Sequence, residues 1–291
     1  MNEKYNYLTP ENIHHFIDSA FVEDVGDGDH SSLSAIPIET IRKARLIIKD
    51  EGIIAGLELA KMIFKRADEN LAVTLLLKDG DAVKYGDIGL LVEGSARSIL
   101  TAERLVLNCM QRMSGIATAT DKAVAQTKGT KTQILDTRKT TPNCRIIEKW
   151  AVQIGGATNH RFGLFDMIML KDNHVDYAGG IKNAIQAAKV YRDRYHAKTG
   201  KYLRIEVETR NLQEVQEALV EKVEVIMLDN MDLETTKLAV NLIGNEALVE
   251  ASGGITIDKI ADIAACGVDY ISIGALTHSV KSLDISLKAF V

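Results

Sequence analysis

The chain is short of most features that mark the commoner binding classes. Its formal net charge is -5 and its pI about 5.9, so no global basic field draws in nucleic acid. Positive charge acts here only where it is focused locally. There are three cysteines, Cys109, Cys144 and Cys266, widely spaced and without a CxxC pair. That pattern argues against a disulfide framework or a structural zinc site and for a reducing compartment. Cys144 has cationic neighbours in Arg138, Lys139 and Arg145 but no base beside it in sequence, and it reads as incidental. No apolar run is long enough to span a bilayer, and the opening MNEKYNYLTPENIHHF lacks the apolar centre of a signal peptide. A cytoplasmic protein without a membrane partner is expected. Neither GxGxxG after a first strand nor GxxxxGK occurs, so no dinucleotide or nucleoside triphosphate is implied by motif. His14, His15, His30 and His196 form no ligand spacing, which argues against a zinc hydrolase.

At 291 residues the chain has room for one large and one small domain. Residues 9–20 read as a helix capped by Thr9 with Pro10 at its first position. A turn-rich loop follows over 23–30, then strands at 42–49, 72–78 and 88–94 and a helix at 57–67, together a small α+β domain. Long helical patterning covers 98–128, with a break near Ser114-Gly115. Beyond residue 132 apolar strands recur at 133–136, 166–170, 203–207, 225–228, 248–251 and 270–273, mostly with helical patterns between them. Such alternation predicts parallel α/β units, and six strands fit a barrel or an incomplete barrel better than a small open sheet.

The ends of those strands carry the chemistry. The most informative stretch ends at Asn173 and reads ILDTRKTTPNCRIIEKWAVQIGGATNHRFGLFDMIMLKDN. It gathers Arg138, Lys139, Arg161 and Lys171 with His160 at the rims of buried elements, where isolated charge is costly. Such a cluster needs a small anion with more than one negative charge. His160 is placed to donate to a carboxylate or to orient Arg161. The last strands end in Ser252-Gly253-Gly254 and Gly274-Ala275, each ahead of a predicted helix, where glycine backbone lets N–H groups approach a phosphate. Glu206, Glu208 and Asp229 supply the opposite charge, suited to Mg²⁺ shared with ligand oxygens. Alternation puts Glu206 and Glu208 on one strand face; Glu206 is the first choice because Glu208 lies nearer the solvent rim. A salt-bridge network with the cations is the alternative use of these acids. Arg104 and Arg112 sit eight apart on the long helix, and periodicity leaves Arg104 either a solvated charge or a group reaching a partner subunit.

Taken together, TAER leading to NCMQRMSGIAT, then DTRKTTP, GGATNHRFGLFDMIMLKDNH, IEVE, IMLDNM, EASGGI and GVDYISIGALTHS closely resemble the quinolinate phosphoribosyltransferase family over nearly the whole chain. The resemblance implies an α/β fold: an N-terminal α/β open sandwich (1–113, including the linking helix), a partial barrel (114–275), and a C-terminal helix (276–291) packing back on the first domain. It implies that quinolinate and phosphoribosyl pyrophosphate give nicotinate mononucleotide, pyrophosphate and carbon dioxide. It sets the pyridine dicarboxylate against Arg138, Lys139, His160, Arg161 and Lys171, with Arg104 supplied by the neighbouring subunit of a homodimer. Glu206 and Asp229 fall near the ribose hydroxyls and Mg²⁺, and the 5′-phosphate on Ser252, Gly253, Gly254 and Gly274. Lys139, Lys171, Glu206 and Asp229 are the catalytic candidates. Two departures border this pocket: Asn143-Cys144-Arg145 where the family has glycine and an aliphatic residue, and Ala157-Thr158 in place of a third glycine. Competing readings are a phosphoribosyltransferase for a monocarboxylate such as nicotinate, a phosphate-binding barrel lyase using Lys139 or Lys171, and a non-catalytic phosphoribosyl pyrophosphate sensor.

Overall fold

The computed structural model describes residues 7–290; the start of the polar opening, through Asn6, and Val291 lie outside the described residues. In chain order the elements are α1 (Pro10–Asp24), α2 (His30–Ala35), β1 (Ile41–Ile48), β2 (Gly52–Ile53), α3 (Leu57–Ala67), β3 (Ala72–Leu75), β4 (Ala82–Val83), β5 (Ile88–Ser95) and α4 (Ala96–Ala125). There follow β6 (Gln133–Leu135), α5 (Arg145–Ile154), β7 (Ile168–Leu170), α6 (Asp172–Ala178), α7 (Ile181–Thr199), β8 (Ile205–Thr209), α8 (Leu212–Val220) and β9 (Val225–Asp229). The chain closes with α9 (Leu233–Ile243), β10 (Leu248–Ser252), α10 (Ile260–Ala265), β11 (Tyr270–Ser272), α11 (Ala275–His278) and β12 (Ile285–Phe290). Helix starts follow local capping chemistry: Thr9, Asp29, Asn211 and Asp232 each accept a backbone N–H from the first turn of their helix.

The residues form two compact units, one of Met1–Asp121, Lys139–Gly156 and Ala275–Val291, the other of Lys122–Arg138 and Ala157–Gly274. The expected boundary after residue 113 therefore falls inside α4, and the segment carrying α5 counts with the first unit. In that unit an antiparallel sheet runs in the order β12-β1-β5-β3. Along β1, Ala44, Leu46 and Ile48 are buried in alternation, as one covered face requires. A Cβ on Gly89 of β5 would press on the side chains of Leu46 and Leu57 at 3.0 and 3.4 Å, so α3 lies close on this face.

Two expectations change here. Helix α4 passes unbroken through Ser114-Gly115. Those residues serve close packing: the backbone of Lys281 occupies the space a Cβ on Gly115 would need, and the Ser114 hydroxyl accepts the Ala55 N–H at 2.9 Å. The C-terminal helix expected over 276–291 is instead the four-residue α11 followed by strand β12, which pairs antiparallel with β1 in the register Ile48↔Ile285 and Leu46↔Leu287. Ile285 and Leu287 are both buried, and that period of two is a strand's, not a helix's.

The second unit is a six-stranded parallel sheet in the order β6-β11-β10-β9-β8-β7. Four strands follow β7 in chain order, and the last of them, β11, pairs with the first, β6. That is the order of a barrel with one seam open, between β6 and β7, where Leu135 makes only an isolated bridge to Thr158. The fold is thus α/β, an N-terminal sandwich and an incomplete barrel. All five residues of β8 are buried, as a parallel strand covered on both faces demands. Because the strands are parallel, their C-terminal ends share one rim, where barrels place their ligands.

Candidate active site

The segment Asn159-His160-Arg161, between α5 and β7, is fixed from several strands. Asp136, at the end of β6 and fully buried, accepts the His160 backbone N–H at 2.8 Å and the Asn159 amide at 2.7 Å. The His160 ring lies with Nε2 at 3.2 Å from Glu206 on β8 and 3.3 Å from Glu250 on β10. Its other nitrogen, Nδ1, accepts the Arg161 N–H at 2.7 Å. The Arg161 guanidinium, also buried, donates to the Met167 carbonyl at 3.1 Å. His160 thus faces two carboxylates at ion-pair distance and orients Arg161.

The electrostatics of this buried cluster favour bound protons at His160 and Glu206. Burial opposes a charged ring, but the facing Glu250 and Glu206 carboxylates outweigh it and favour protonation up to about 10. Burial first, and the Glu250 charge next, likewise raise Glu206 above the ordinary carboxyl range, with His160 opposing. Charge alone lets the proton sit on the ring or on the acid. An imidazolium has no lone pair at Nδ1, however, and here Nδ1 accepts an N–H. A ring whose Nδ1 accepts this N–H is neutral, with its proton on Nε2. The same geometry argues against a metal on the trio, although one ligand atom from each residue lies within 4.8 Å of the others: Nε2 offers a proton, not a lone pair.

Glu206 is consequently committed to His160 and poorly placed for the Mg²⁺ role that the sequence suggested. In register Glu206 faces Val225, four residues before Asp229 on β9, which is about 13 Å deeper along the strand. Oxygens sharing one Mg²⁺ lie within about 4 Å of one another, so Glu206 and Asp229 do not fit a common ion. Glu208 does better. It faces Met227, two residues or about 7 Å from Asp229, and its carboxylate receives Lys171 Nζ at 3.2 Å. Asp229 itself is half-buried, pairs in register with Ser252, and accepts the Asn230 amide at 2.9 Å.

Beside it, Ser252-Gly253-Gly254 leaves β10 with both glycines in the left-handed region, φ +97° and +57°. A Cβ on Gly253 would collide with the Asn230 side chain, so glycine is required there twice over. The helices behind the expected phosphate grip are short: α10 begins after a 3₁₀ turn, and α11 after Gly274 has four residues. Anion binding there rests on turn amides more than on a long helix dipole. His174 is a local cap, its Nδ1 accepting the Lys171 N–H at 3.0 Å.

The remaining candidates belong to the first unit. Arg104 is exposed on α4. Lys139 is exposed, and its carbonyl accepts the Thr277 hydroxyl at 2.9 Å. Arg112 donates to the fully buried Glu148 at 2.9 Å and to the Thr277 carbonyl, while Glu148 accepts the Thr141 N–H at 3.1 Å. This network pins the backbone around Lys139 and Thr141. Cys144 is raised by burial and by Glu148, and Cys109 is pushed up to about 12 by burial, so neither offers a thiolate nucleophile.

Sequence reasoning missed Asp136, Glu250, Glu148 and Thr277. Asp136 and Glu250 each stand in a quoted motif, DTRKTTP and EASGGI, one beside the cations and one beside the glycines. An acid at a buried strand position was the available signal.

An incomplete parallel barrel that ends its strands in cations, carboxylates and a glycine turn belongs to the class of barrel enzymes acting on small anionic substrates. Comparison with known proteins narrows the class. Residues 29–114 match the family described as quinolinate phosphoribosyl transferase, N-terminal domain, and residues 116–288 match its C-terminal domain. A rice protein (Oryza sativa subsp. japonica) named nicotinate-nucleotide pyrophosphorylase (carboxylating), chloroplastic, is 50% identical over 288 residues, covering 94% of this chain and 76% of its own. A Bacillus subtilis protein described as a probable nicotinate-nucleotide pyrophosphorylase (carboxylating) is 43% identical, covering 92% of this chain and 90% of its own. The crystal structure of NadC from Streptococcus pyogenes superposes with a TM-score of 0.88 at 39% identity, covering 98% of this chain and 99% of that one. The chain belongs to the quinolinate phosphoribosyltransferase family. Some plant relatives carry chloroplastic or mitochondrial names, so compartment varies among them; among the described residues of this chain, no helix is long and apolar enough to cross a membrane.

Proposed function

We propose that the chain is a decarboxylating quinolinate phosphoribosyltransferase of NAD biosynthesis, converting quinolinate and phosphoribosyl pyrophosphate to nicotinate mononucleotide, pyrophosphate and carbon dioxide. The observation that carries this reading is the buried Asn159-His160-Arg161 segment, anchored by Asp136 and facing Glu206 and Glu250, in a chain that matches the family along both domains. Arg138, Arg161 and Lys171 bind the dicarboxylate in this reading, and His160, the fourth residue assigned to it, acts by fixing the Arg161 main chain. Lys139, next to Arg138 in the chain, keeps its assigned part, and Arg104 comes from the second copy of a homodimer. Two carboxylates on one small ring call for more cations than a monocarboxylate does, and the cation count supports quinolinate over nicotinate.

The residues then act as follows. The cations neutralise both carboxylates and turn the ring nitrogen toward C1 of the ribose. As the bond from C1 to pyrophosphate loosens, positive charge grows on the ribosyl group, and the Asp229 and Glu208 carboxylates stabilise it electrostatically. The nitrogen's electron pair forms the new bond to C1, leaving a pyridinium. That ring stabilises the pair released at C2 when the carboxylate leaves as carbon dioxide, and C2 then takes a proton. Ser252, Gly253, Gly254 and Gly274 hold the 5′-phosphate. Glu208 and Asp229 would hold Mg²⁺ with ligand oxygens; when bound it draws charge from the departing pyrophosphate.

The test is pyrophosphate release from phosphoribosyl pyrophosphate with Mg²⁺, comparing quinolinate with nicotinate and tracking carbon dioxide. Equal amounts of pyrophosphate and carbon dioxide with quinolinate alone are expected. Turnover with nicotinate alone would move the assignment to a monocarboxylate enzyme. Binding of both substrates without turnover would favour a sensor.

A further inference from the structure

We propose that Glu250 is a positioning residue for quinolinate binding, acting with Glu206 through the His160 ring to fix the Arg161 main chain. The proposal rests on the functional reading above. Its basis is the direction of the hydrogen bonds. The Arg161 N–H ends on His160 Nδ1 at 2.7 Å, so that bond exists only while the ring keeps its proton on Nε2. Nε2 meets Glu206 at 3.2 Å and Glu250 at 3.3 Å, one acid from β8 and one from β10. Carboxylates facing Nε2 from separate strands favour that tautomer and bracket the ring from two sides. Asp136 anchors the same segment from its backbone side at 2.8 Å. Stability does not account for the arrangement. Glu206 Oε1 and Glu250 Oε1 are buried without a hydrogen-bond partner, and a buried polar cluster with unmet acceptors is less stable than apolar packing of similar volume. What the arrangement supplies is a fixed position for the backbone between His160 and Arg161.

The experiment uses the full-length chain in two arms. Nitrogen-15 NMR of the imidazoles, with H160N to identify the signal, should show a neutral Nε2–H tautomer for His160 that is lost in E250A and kept in E250Q, whose amide oxygen still accepts. Steady-state kinetics should then show the KM for quinolinate raised about tenfold in E250A, with the KM for phosphoribosyl pyrophosphate nearly unchanged and E250Q largely restoring the first value. If E250A does not fold, E250D, which shortens the reach to Nε2, carries both arms with the same expected direction. A doubly protonated or Nδ1–H ring in the wild type, or an equal rise in both KM values, would overturn the proposal. A wild type that never turns over quinolinate would refute the functional reading instead, and loss of the tautomer in E250A would still uphold the clamp.

Discussion

Replacing Asp136 by Asn tests the frame on which the site is built. The carboxylate is fully buried and accepts the Asn159 amide at 2.7 Å on one oxygen and the His160 N–H at 2.8 Å on the other. Asn keeps the shape but offers one oxygen, so its NH₂ must face one of the two donors. The change therefore removes one charge-assisted bond, about 1.5–3 kcal/mol, and leaves a buried donor opposed by a donor, about 1–3 kcal/mol more. A loss of about 3–4 kcal/mol is expected, a large part of the about 5–15 kcal/mol that holds a typical domain. Urea unfolding followed by far-UV circular dichroism measures it, and calorimetric titration of quinolinate on the folded variant measures the effect on binding. Affinity should fall about tenfold or more, because His160 and Arg161 lose their anchor. A stability change under about 1 kcal/mol with quinolinate affinity intact would refute the claim that Asp136 sets this segment.

Three other outcomes follow from the same geometry. Glu148→Ala strands the half-buried Arg112 guanidinium and the Thr141 N–H, and thermal denaturation should show a loss of about 2–4 kcal/mol; an unchanged midpoint would contradict the network. Glu208→Gln should lower kcat about a hundredfold and raise the Mg²⁺ concentration needed for half-maximal rate, while Glu206→Gln leaves that Mg²⁺ requirement unchanged; Mg²⁺ titrations of the two variants separate the rim acid from the floor acid. Stability should also depend on pH, because burial and the Glu250 charge raise Glu206 above the ordinary 4.5 of an unfolded carboxyl. Above that value the fold binds more protons than the unfolded chain, so stability is complete below about 4.5 and is lost as pH rises through the folded Glu206 range. Melting temperatures followed upward from about pH 4.5 should fall in the wild type and fall less in E250Q.

Element type was largely legible in the sequence because burial periodicity writes it directly. Helix α3 stands at the expected residues, and each of the six barrel strands lies within a few residues of its apolar run. The end of the chain was harder. With Ile285 and Leu287 alone marking a buried face, so short a segment is decided by its partner, and β1 is some 240 residues away in sequence. Ser114-Gly115 misled for a related reason: helix propensity treats both as weakening, yet Gly115 makes way for the Lys281 backbone and Ser114 bonds Ala55. The cations were visible because lysine and arginine at strand ends are conspicuous. The acids beneath them were not, since their value depends on which strands are neighbours, and the order β8-β9-β10 is a tertiary fact.

The error over Glu206 and Glu208 shows how depth in the barrel divides one kind of residue into two uses. Both side chains share a strand face, and sequence favoured the deeper acid as the more protected. Protection is what removes it from the rim: at 1% exposure Glu206 is committed to His160, and nothing entering from the strand ends displaces that pair cheaply. Glu208 meets a lysine whose side chain is 48% exposed, and an ion pair so open to water is worth at most about 1 kcal/mol. Such a pair suits the proposed reaction: Lys171 and Glu208 neutralise each other at the rim, and in that reading they separate at little cost when a substrate carboxylate reaches the lysine. By the same proposal Glu206 and Glu250 fix the Arg161 main chain, while Glu208 leaves a cation ready to change partners.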